Sequence, residues 1–222
     1  MPGHGQDQSD AAQTWNFDFI RDALDEVLAQ FDEYQIYLHG YSMGGRAALY
    51  YALHGHQTLE GLILESTSPG IADEEDRVSR KQVDEARAKV LEIAGLEVFV
   101  NDWEKLPLFA SQADKMTKEE RKRHREMRLA QDPKGLAKAL RDYGTGQMPN
   151  LWPELSNLTL PVCFIVGERD EKFVEIAHKM KAAIEGSELH VVEEAGHTVH
   201  VEDAQQFDII VLGFLNKEEQ NG

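Results

Sequence analysis

Apolar residues recur at Phe17, Ile20, Leu24, Val27, Leu28 and Phe31 with acidic and polar residues between them, the spacing of a helix that buries one face and wets the other. The run Ile36-Tyr37-Leu38-His39 that follows is short, apolar and stopped by Gly40. Beyond it, Ala47 to Leu53 holds good helix formers and no breaker, so the pattern predicts strand, sharp turn, helix. Leu62-Ile63-Leu64, Val162 to Val166 and Leu189 to Val192 are three further apolar runs, of the continuous kind expected of strands buried on both faces. The first of them leads into the turn-rich Ser66-Thr67-Ser68-Pro69-Gly70. One amphipathic helix, carrying Phe173, Ile176, Ala177, Met180 and Ile184, separates the last two runs, and another, carrying Phe207, Ile210, Val211, Phe214 and Leu215, follows them. Strands alternating with helices predict an α/β fold, its sheet mainly parallel with helices on both faces.

Residues 71–145 break this rhythm, being dense in charge and helical pattern with no convincing strand. They read as a helical cap inserted between two core strands, which leaves residues 1–222 as a single domain. Within the cap, Lys118 to Arg128 reads as a solvated helix face on which Glu119 and Arg123 are spaced to pair.

Composition narrows the partners. Lys and Arg number 23 against 40 Asp and Glu, a net charge of −17 that repels phosphate backbones and anionic membrane surfaces. Neither nucleic acid nor a membrane is therefore an expected partner. The one cysteine, Cys163, sits inside an apolar run and reads as a buried core thiol. With no disulfide framework, no apolar stretch near the roughly 18 residues of a membrane span and no leader-like pattern in the first twenty residues, the expected location is the cytoplasm.

The candidate chemistry starts at Gly40-Tyr41-Ser42-Met43-Gly44. A Gly-x-Ser-x-Gly match gains weight from context, and here it ends a predicted strand and opens a predicted helix, where a nucleophile elbow belongs. Ser42 then projects its hydroxyl above the sheet, and the Met43 N–H at the helix start can face a developing oxyanion. A serine hydroxyl needs a histidine to take its proton, and the imidazole needs a carboxylate to fix its tautomer. Those partners should follow later strands in the order Ser, acid, His. The run 162–166 leads to Asp170, with Glu168 and Glu171 as competitors, and the run 189–192 leads to His197, with His200 as its rival. Of the other histidines, His39 and His190 fall within strands, His54 and His56 end a helix, and His124 and His178 lie on charged helices.

Taken together, Gly40 to Arg46, the opening Pro2-Gly3-His4-Gly5, Gly167 to Phe173, Ala195-Gly196-His197 and, in the cap, Asn101-Asp102-Trp103 and Pro107-Leu108-Phe109 resemble the MenH family of menaquinone-pathway enzymes. The likeness runs through essentially the whole chain. It implies the α/β-hydrolase fold and a lyase that eliminates pyruvate from 2-succinyl-5-enolpyruvyl-6-hydroxy-3-cyclohexene-1-carboxylate, by proton abstraction at a Ser42, His197 and Asp170 triad. It also implies a polycarboxylate substrate held by Arg46, Arg80 and Arg128 in a pocket lined by Tyr41 and Trp103, with no cofactor and no metal. Against the family's length, the resemblance further implies that the chain begins inside the loop after the fourth strand. It would then lack the His-Gly loop that supplies a second oxyanion N–H, and the edge of the Ser42 strand would be bared. Two other readings remain open: a serine esterase or thioesterase using the same triad covalently, and a non-catalytic fragment.

Overall fold

The computed structural model describes residues 1–221. Helix α1, Phe17–Leu28, is started by Asn16, whose side chain accepts the Phe19 N–H, the usual way of satisfying a free donor at a helix start. Phe17 and Ile20 are buried, but Val27 and Phe31, expected on the same stripe, are 50% and 46% exposed. Phe31 lies beyond the helix, in the 3₁₀ turn Ala29–Phe31, where its ring meets that of the exposed Tyr34 edge-on at 6.1 Å.

Strand β1, Tyr37–Tyr41, runs into helix α2, Met43–His54, and strand β2, Gly61–Glu65, follows. Five helices come next: α3, Glu74–Ile93; α4, Leu96–Trp103; α5, Gln112–Lys115; α6, Lys118–Leu129; and α7, Pro133–Tyr143. Strand β3, Val162–Gly167, helix α8, Glu171–Ala183, strand β4, Glu188–Val192, the short α9, Val199–Glu202, and α10, Ala204–Asn221, complete the described residues. The four strands form a parallel sheet in the order β1-β2-β3-β4.

Alternation along the strands divides the core between the two faces. Leu62, Leu64, Val162, Phe164 and Val166 pack with α1, α2 and α8, whereas Ile63, Cys163 and Ile165 pack with Phe207, Ile210, Val211 and Phe214 of α10. This is the two-sided covering that a parallel sheet needs. Among the described residues no helix is long and apolar enough to cross a membrane.

Helix α2 starts four residues earlier than its propensity suggested, taking in Gly44 and Gly45. Tertiary packing overrides the weak propensity of glycine: a Cβ on Gly40 would lie 2.6 Å from both the Gly44 carbonyl oxygen and the Gly45 Cα. Strand end and helix start are pressed together at this corner.

The helical segment is held by an apolar seam between α3 and α7, through Ala88, Leu91 and Ala137, with Arg141 paired to Glu85 and Glu92 beside it. The residues before α1 are strapped to α7, since the Tyr143 hydroxyl donates to the Pro2 carbonyl and the Trp15 N–H donates to Asp142 at 2.8 Å. The expected Glu119–Arg123 pair does not form among the described residues. Another i,i+4 pair, Lys122 with Glu126, forms on α6 instead, while Arg121 reaches the Met116 carbonyl and Arg125 and Arg128 reach Glu104. Exposed pairs of this kind are worth little, so which of them forms is weakly determined.

The crowding at the elbow generates a stability prediction. Gly40→Ala meets only backbone, which cannot step aside, and should cost about 1–3 kcal/mol. Gly44→Ala meets nothing within 4 Å and should stay within about 0.5 kcal/mol of the unaltered chain. Urea unfolding of the two variants checks this contrast.

Candidate active site

Ser42 sits between β1 and α2 with φ 50° and ψ −107°, a backbone conformation that is uncommon for a residue with a side chain. Two contacts hold it there: its N–H donates to the Glu65 carbonyl at 2.8 Å, and its carbonyl accepts from the Thr67 hydroxyl at 2.8 Å. The turn lifts Oγ clear of the sheet. Met43 is the first residue of α2, so its N–H is among those at a helix start with no intrahelical acceptor.

His197 reaches this hydroxyl from the loop after β4. Its Nε2 lies 2.9 Å from Ser42 Oγ and its Nδ1 lies 2.6 Å from Asp170 Oδ2. Asp170 is the residue before α8, and both its side chain (9% exposed) and that of His197 (3%) are nearly closed to solvent. His197 pairs with Asp170 rather than with Glu171, which is the first residue of α8, and the other two competing residues are engaged elsewhere. Glu168 accepts the Glu194 N–H, and His200 faces Glu65 rather than Ser42.

Three aromatic rings surround the imidazole, with centroids at 4.8 Å for Phe173, 5.3 Å for Tyr41 and 6.3 Å for Phe109. Tyr41 shares a hydrogen bond with the Thr198 hydroxyl at 2.9 Å. Burial, assisted by the nearby carboxylates of Glu65, Glu202 and Asp170, holds its phenol above the ordinary range despite that hydrogen bond. Phe109 also joins the more distant candidates to the triad. Trp103 is tilted against it at 6.0 Å, and the Arg128 guanidinium stands 5.5 Å over its ring. Trp103 further stacks on Phe99 with Arg87 above it, and Arg128 is paired with Glu104 at 3.0 Å. A cavity of about 230 Å³ opens behind Asp170, lined by Leu108, Ser111, Arg169 and Gly196, but Ser42 does not line it.

Arg46, one turn beyond Ser42, is buried, and its Nη1 has no hydrogen-bond partner among the described residues. Burial, then repulsion from Arg80, pushes its pKa down to about 10, against the opposing pull of Asp84 and Tyr143. It therefore stays charged at neutral pH. Arg80 donates to Asp84 at 2.9 Å. Arg46 and Arg80 repel one another and both are drawn to the buried Asp84, and among the described residues neither side chain hydrogen-bonds to the triad.

Sequence reasoning missed the supports under His197. Glu202 accepts the Gly196 N–H at 2.7 Å and the Thr198 N–H at 3.2 Å, gripping the backbone on both sides of the histidine, and Gln112 donates to the Thr198 hydroxyl at 3.1 Å. A carboxylate closing the apolar run Leu62-Ile63-Leu64 was the signal available for Glu65. The ligand-type atoms of Cys163, Glu188 and His190 lie within 4.8 Å of one another. Burial pushes the Cys163 thiol up to about 12 and Lys217 pairs with Glu188, so this trio is poorly suited to a metal.

Comparison with known proteins identifies the family. The model of the Alpha/beta hydrolase family matches residues 1–208. The solved structure of MenH from S. aureus superposes with a TM-score of 0.96 at 56% identity, covering 98% of this chain and 82% of that one. A Bacillus subtilis protein provisionally named 2-succinyl-6-hydroxy-2,4-cyclohexadiene-1-carboxylate synthase is 40% identical over 192 residues, which are 86% of this chain and 70% of that protein. The Yersinia enterocolitica synthase of the same name is 31% identical over 218 residues, 98% of this chain and 76% of its own length. Fold, triad order and relatives agree: this chain belongs to the alpha/beta hydrolase family, in its MenH branch.

Proposed function

We propose that this chain is a carbon–oxygen lyase of menaquinone biosynthesis, acting in the cytoplasm. It eliminates pyruvate from 2-succinyl-5-enolpyruvyl-6-hydroxy-3-cyclohexene-1-carboxylate and leaves 2-succinyl-6-hydroxy-2,4-cyclohexadiene-1-carboxylate. Residues 1–222 act as one domain, with the helices of 71–145 as the cap over the triad.

The observation that carries this reading is the buried, incompletely paired Arg46 near a complete triad. A desolvated cation with a free donor calls for an anion, and the substrate bears several carboxylates. In this reading Ser42 Oγ passes its proton to His197 Nε2, 2.9 Å away, while Asp170 holds the other ring nitrogen and stabilises the imidazolium. The Ser42 oxygen takes a ring proton, the C–H electron pair forms the new C=C bond, and the C–O bond to the enolpyruvyl group breaks. That group departs as the enolate of pyruvate and is protonated to pyruvate, so no bond forms between Ser42 and substrate. The Met43 N–H faces the negative charge that develops on an oxygen of the ring substituent. Arg46 and Arg80 anchor carboxylates, Arg128 approaches from the cap, and Tyr41 and Trp103 line the pocket. The planar fork of arginine suits such groups.

Ser42→Ala should abolish pyruvate release from this substrate without lowering Tm, since the hydroxyl does chemistry rather than packing. His197→Ala with Asp170→Asn should lose little more rate than the worse single substitution, because the triad acts as a unit. Stopped-flow release of phenolate from an activated ester tests the hydrolase alternative: a burst matching the enzyme concentration, without turnover of the polycarboxylate, would overturn the lyase reading.

Arg46→Ala should lower kcat/KM for the polycarboxylate by roughly 10- to 10³-fold, the cost of about 1.5–4 kcal/mol for a lost charged interaction. Arg46→Lys should recover only part of that, lacking the bidentate fork. Arg46→Met should have a Tm no lower than the unaltered chain, because it removes a buried charge lacking a full set of partners while keeping apolar volume. Unchanged kcat/KM in Arg46→Ala would remove the case for an anionic anchor at this position.

A further inference from the structure

Glu65 is fully buried at the carboxyl end of β2, where the proposed elimination gives it no task. A buried carboxylate is costly unless hydrogen bonds replace water on its oxygens, and here they do. Oε1 accepts the His200 N–H at 3.1 Å, both oxygens lie 2.9 Å from His200 Nδ1, and His39 Nε2 approaches Oε2 at 3.3 Å. Burial would raise its pKa, yet the hydrogen bonds from His200 and His39 outweigh that and keep it below the ordinary carboxylate range.

The path of the chain gives these contacts a purpose. Ser42 follows β1 and His197 follows β4, at opposite edges of the sheet. The loop carrying His197 must cross the ends of β3 and β2 to reach Ser42, and Glu65 stands at the end of β2. The same residue's carbonyl accepts the Ser42 N–H. One residue therefore ties the nucleophile by its backbone and the histidine loop by its side chain.

We propose that Glu65 is a positioning residue of the triad, its carboxylate gripping His200 so that the His197 imidazole is held over Ser42. The proposal rests on the triad reading but not on the identity of the substrate. The groups facing the carboxylate are the rings of His39 and Tyr41 from β1 and the ring and N–H of His200 from α9, with the Phe207 ring of α10 covering both histidines. Glutamine keeps the shape but loses the charge and one of the two acceptor oxygens, each 2.9 Å from His200 Nδ1, and so weakens that grip.

The experiment follows phosphonylation of Ser42 in the full chain by an alkyl fluorophosphonate. Oγ bonds to phosphorus, fluoride leaves and the hydroxyl proton passes to His197, so the readout needs the triad but not the natural substrate. Glu65→Gln should slow labelling of folded protein roughly 10- to 100-fold, as a small misplacement of a reacting group does. It should also shift or broaden the downfield proton resonance of His197 Nδ1. Glu65→Asp, which keeps the charge and both acceptor oxygens, should recover part of the rate. His200→Ala should slow labelling in the same direction, and adding it to Glu65→Gln should cost little more than the worse single change. Should Glu65→Gln fail to fold, His200→Ala decides alone, because its ring is partly solvent-facing. Glu65, held below the ordinary carboxylate range, stays ionised from pH 6 to 9. The deficit of Glu65→Gln should accordingly persist at every pH from 6 to 9. Labelling and resonance unchanged in both variants, with only Tm lowered, would overturn the proposal and leave Glu65 a stabilising contact. An unaltered chain that is not labelled would remove the triad reading and this inference with it.

Discussion

Every feature of the site depends on the parallel register that brings the carboxyl ends of the strands to one edge of the sheet. Tyr41 is opposite Glu65 and Gly167 is opposite Val192, so Ser42, Glu65, Asp170 and the His197 loop emerge on the same side. Parallel pairing also separates them. Neighbouring strands lie about 4.8 Å apart, which puts the ends of β1 and β4 roughly 14 Å from each other. A 2.9 Å contact between Ser42 and His197 therefore requires a loop that crosses the top of the sheet. At β3 the Arg169 N–H donates to the Ala195 carbonyl at 2.9 Å, at β2 Glu65 holds His200, and at β1 Tyr41 holds Thr198. The loop is anchored at each strand it passes.

Charge imposes the second constraint. A chain at −17 repels small anions over most of its surface, so an anionic substrate needs a local reversal of sign. In the proposed reading the buried Arg46 supplies one, beside Arg80, at a cost to the folded state that an anion would offset. The rings of Phe173, Tyr41 and Phe109 exclude water around His197, and electrostatic interactions are stronger in such a site than in solvent.

Much of this was legible in the sequence because the determining signals are local. Continuous apolar runs marked the strands, the glycines around Ser42 marked the elbow, and Asp170 and His197 each follow directly on a strand. The start of α2 was misjudged because helix propensity takes no account of the backbone contact between Gly40 and Gly44. Val27 and Phe31 misled because an apolar period does not show how far along a helix the neighbouring elements reach, and past Leu28 the chain leaves the core. His200 looked like a rival base since its place in the loop resembles that of His197. Only the distant Glu65 separates the two: it sits 135 positions earlier in the chain, and no local pattern pairs them. The supports under His197 were hidden for the same reason, as Gln112 lies 86 positions from Thr198.

Triad geometry alone does not choose between acyl transfer and elimination, because the same hydroxyl and imidazole can attack a carbonyl or remove a proton. The choice falls to whatever fixes which substrate atom stands over Ser42 Oγ. In the proposed reading that task belongs to Arg46, whose N–H donates to the Ser42 carbonyl at 3.2 Å in the first turn of α2. Anchor and base are thus one helical turn apart on a rigid element, which positions groups more tightly than a loop can. A carboxylate held by Arg46 would set the distance from substrate to Oγ within that turn. The elbow glycines, by pressing α2 against the end of β1, then fix where that turn begins, so the packing that strains Ser42 also sets the reach of the residue that selects the reaction.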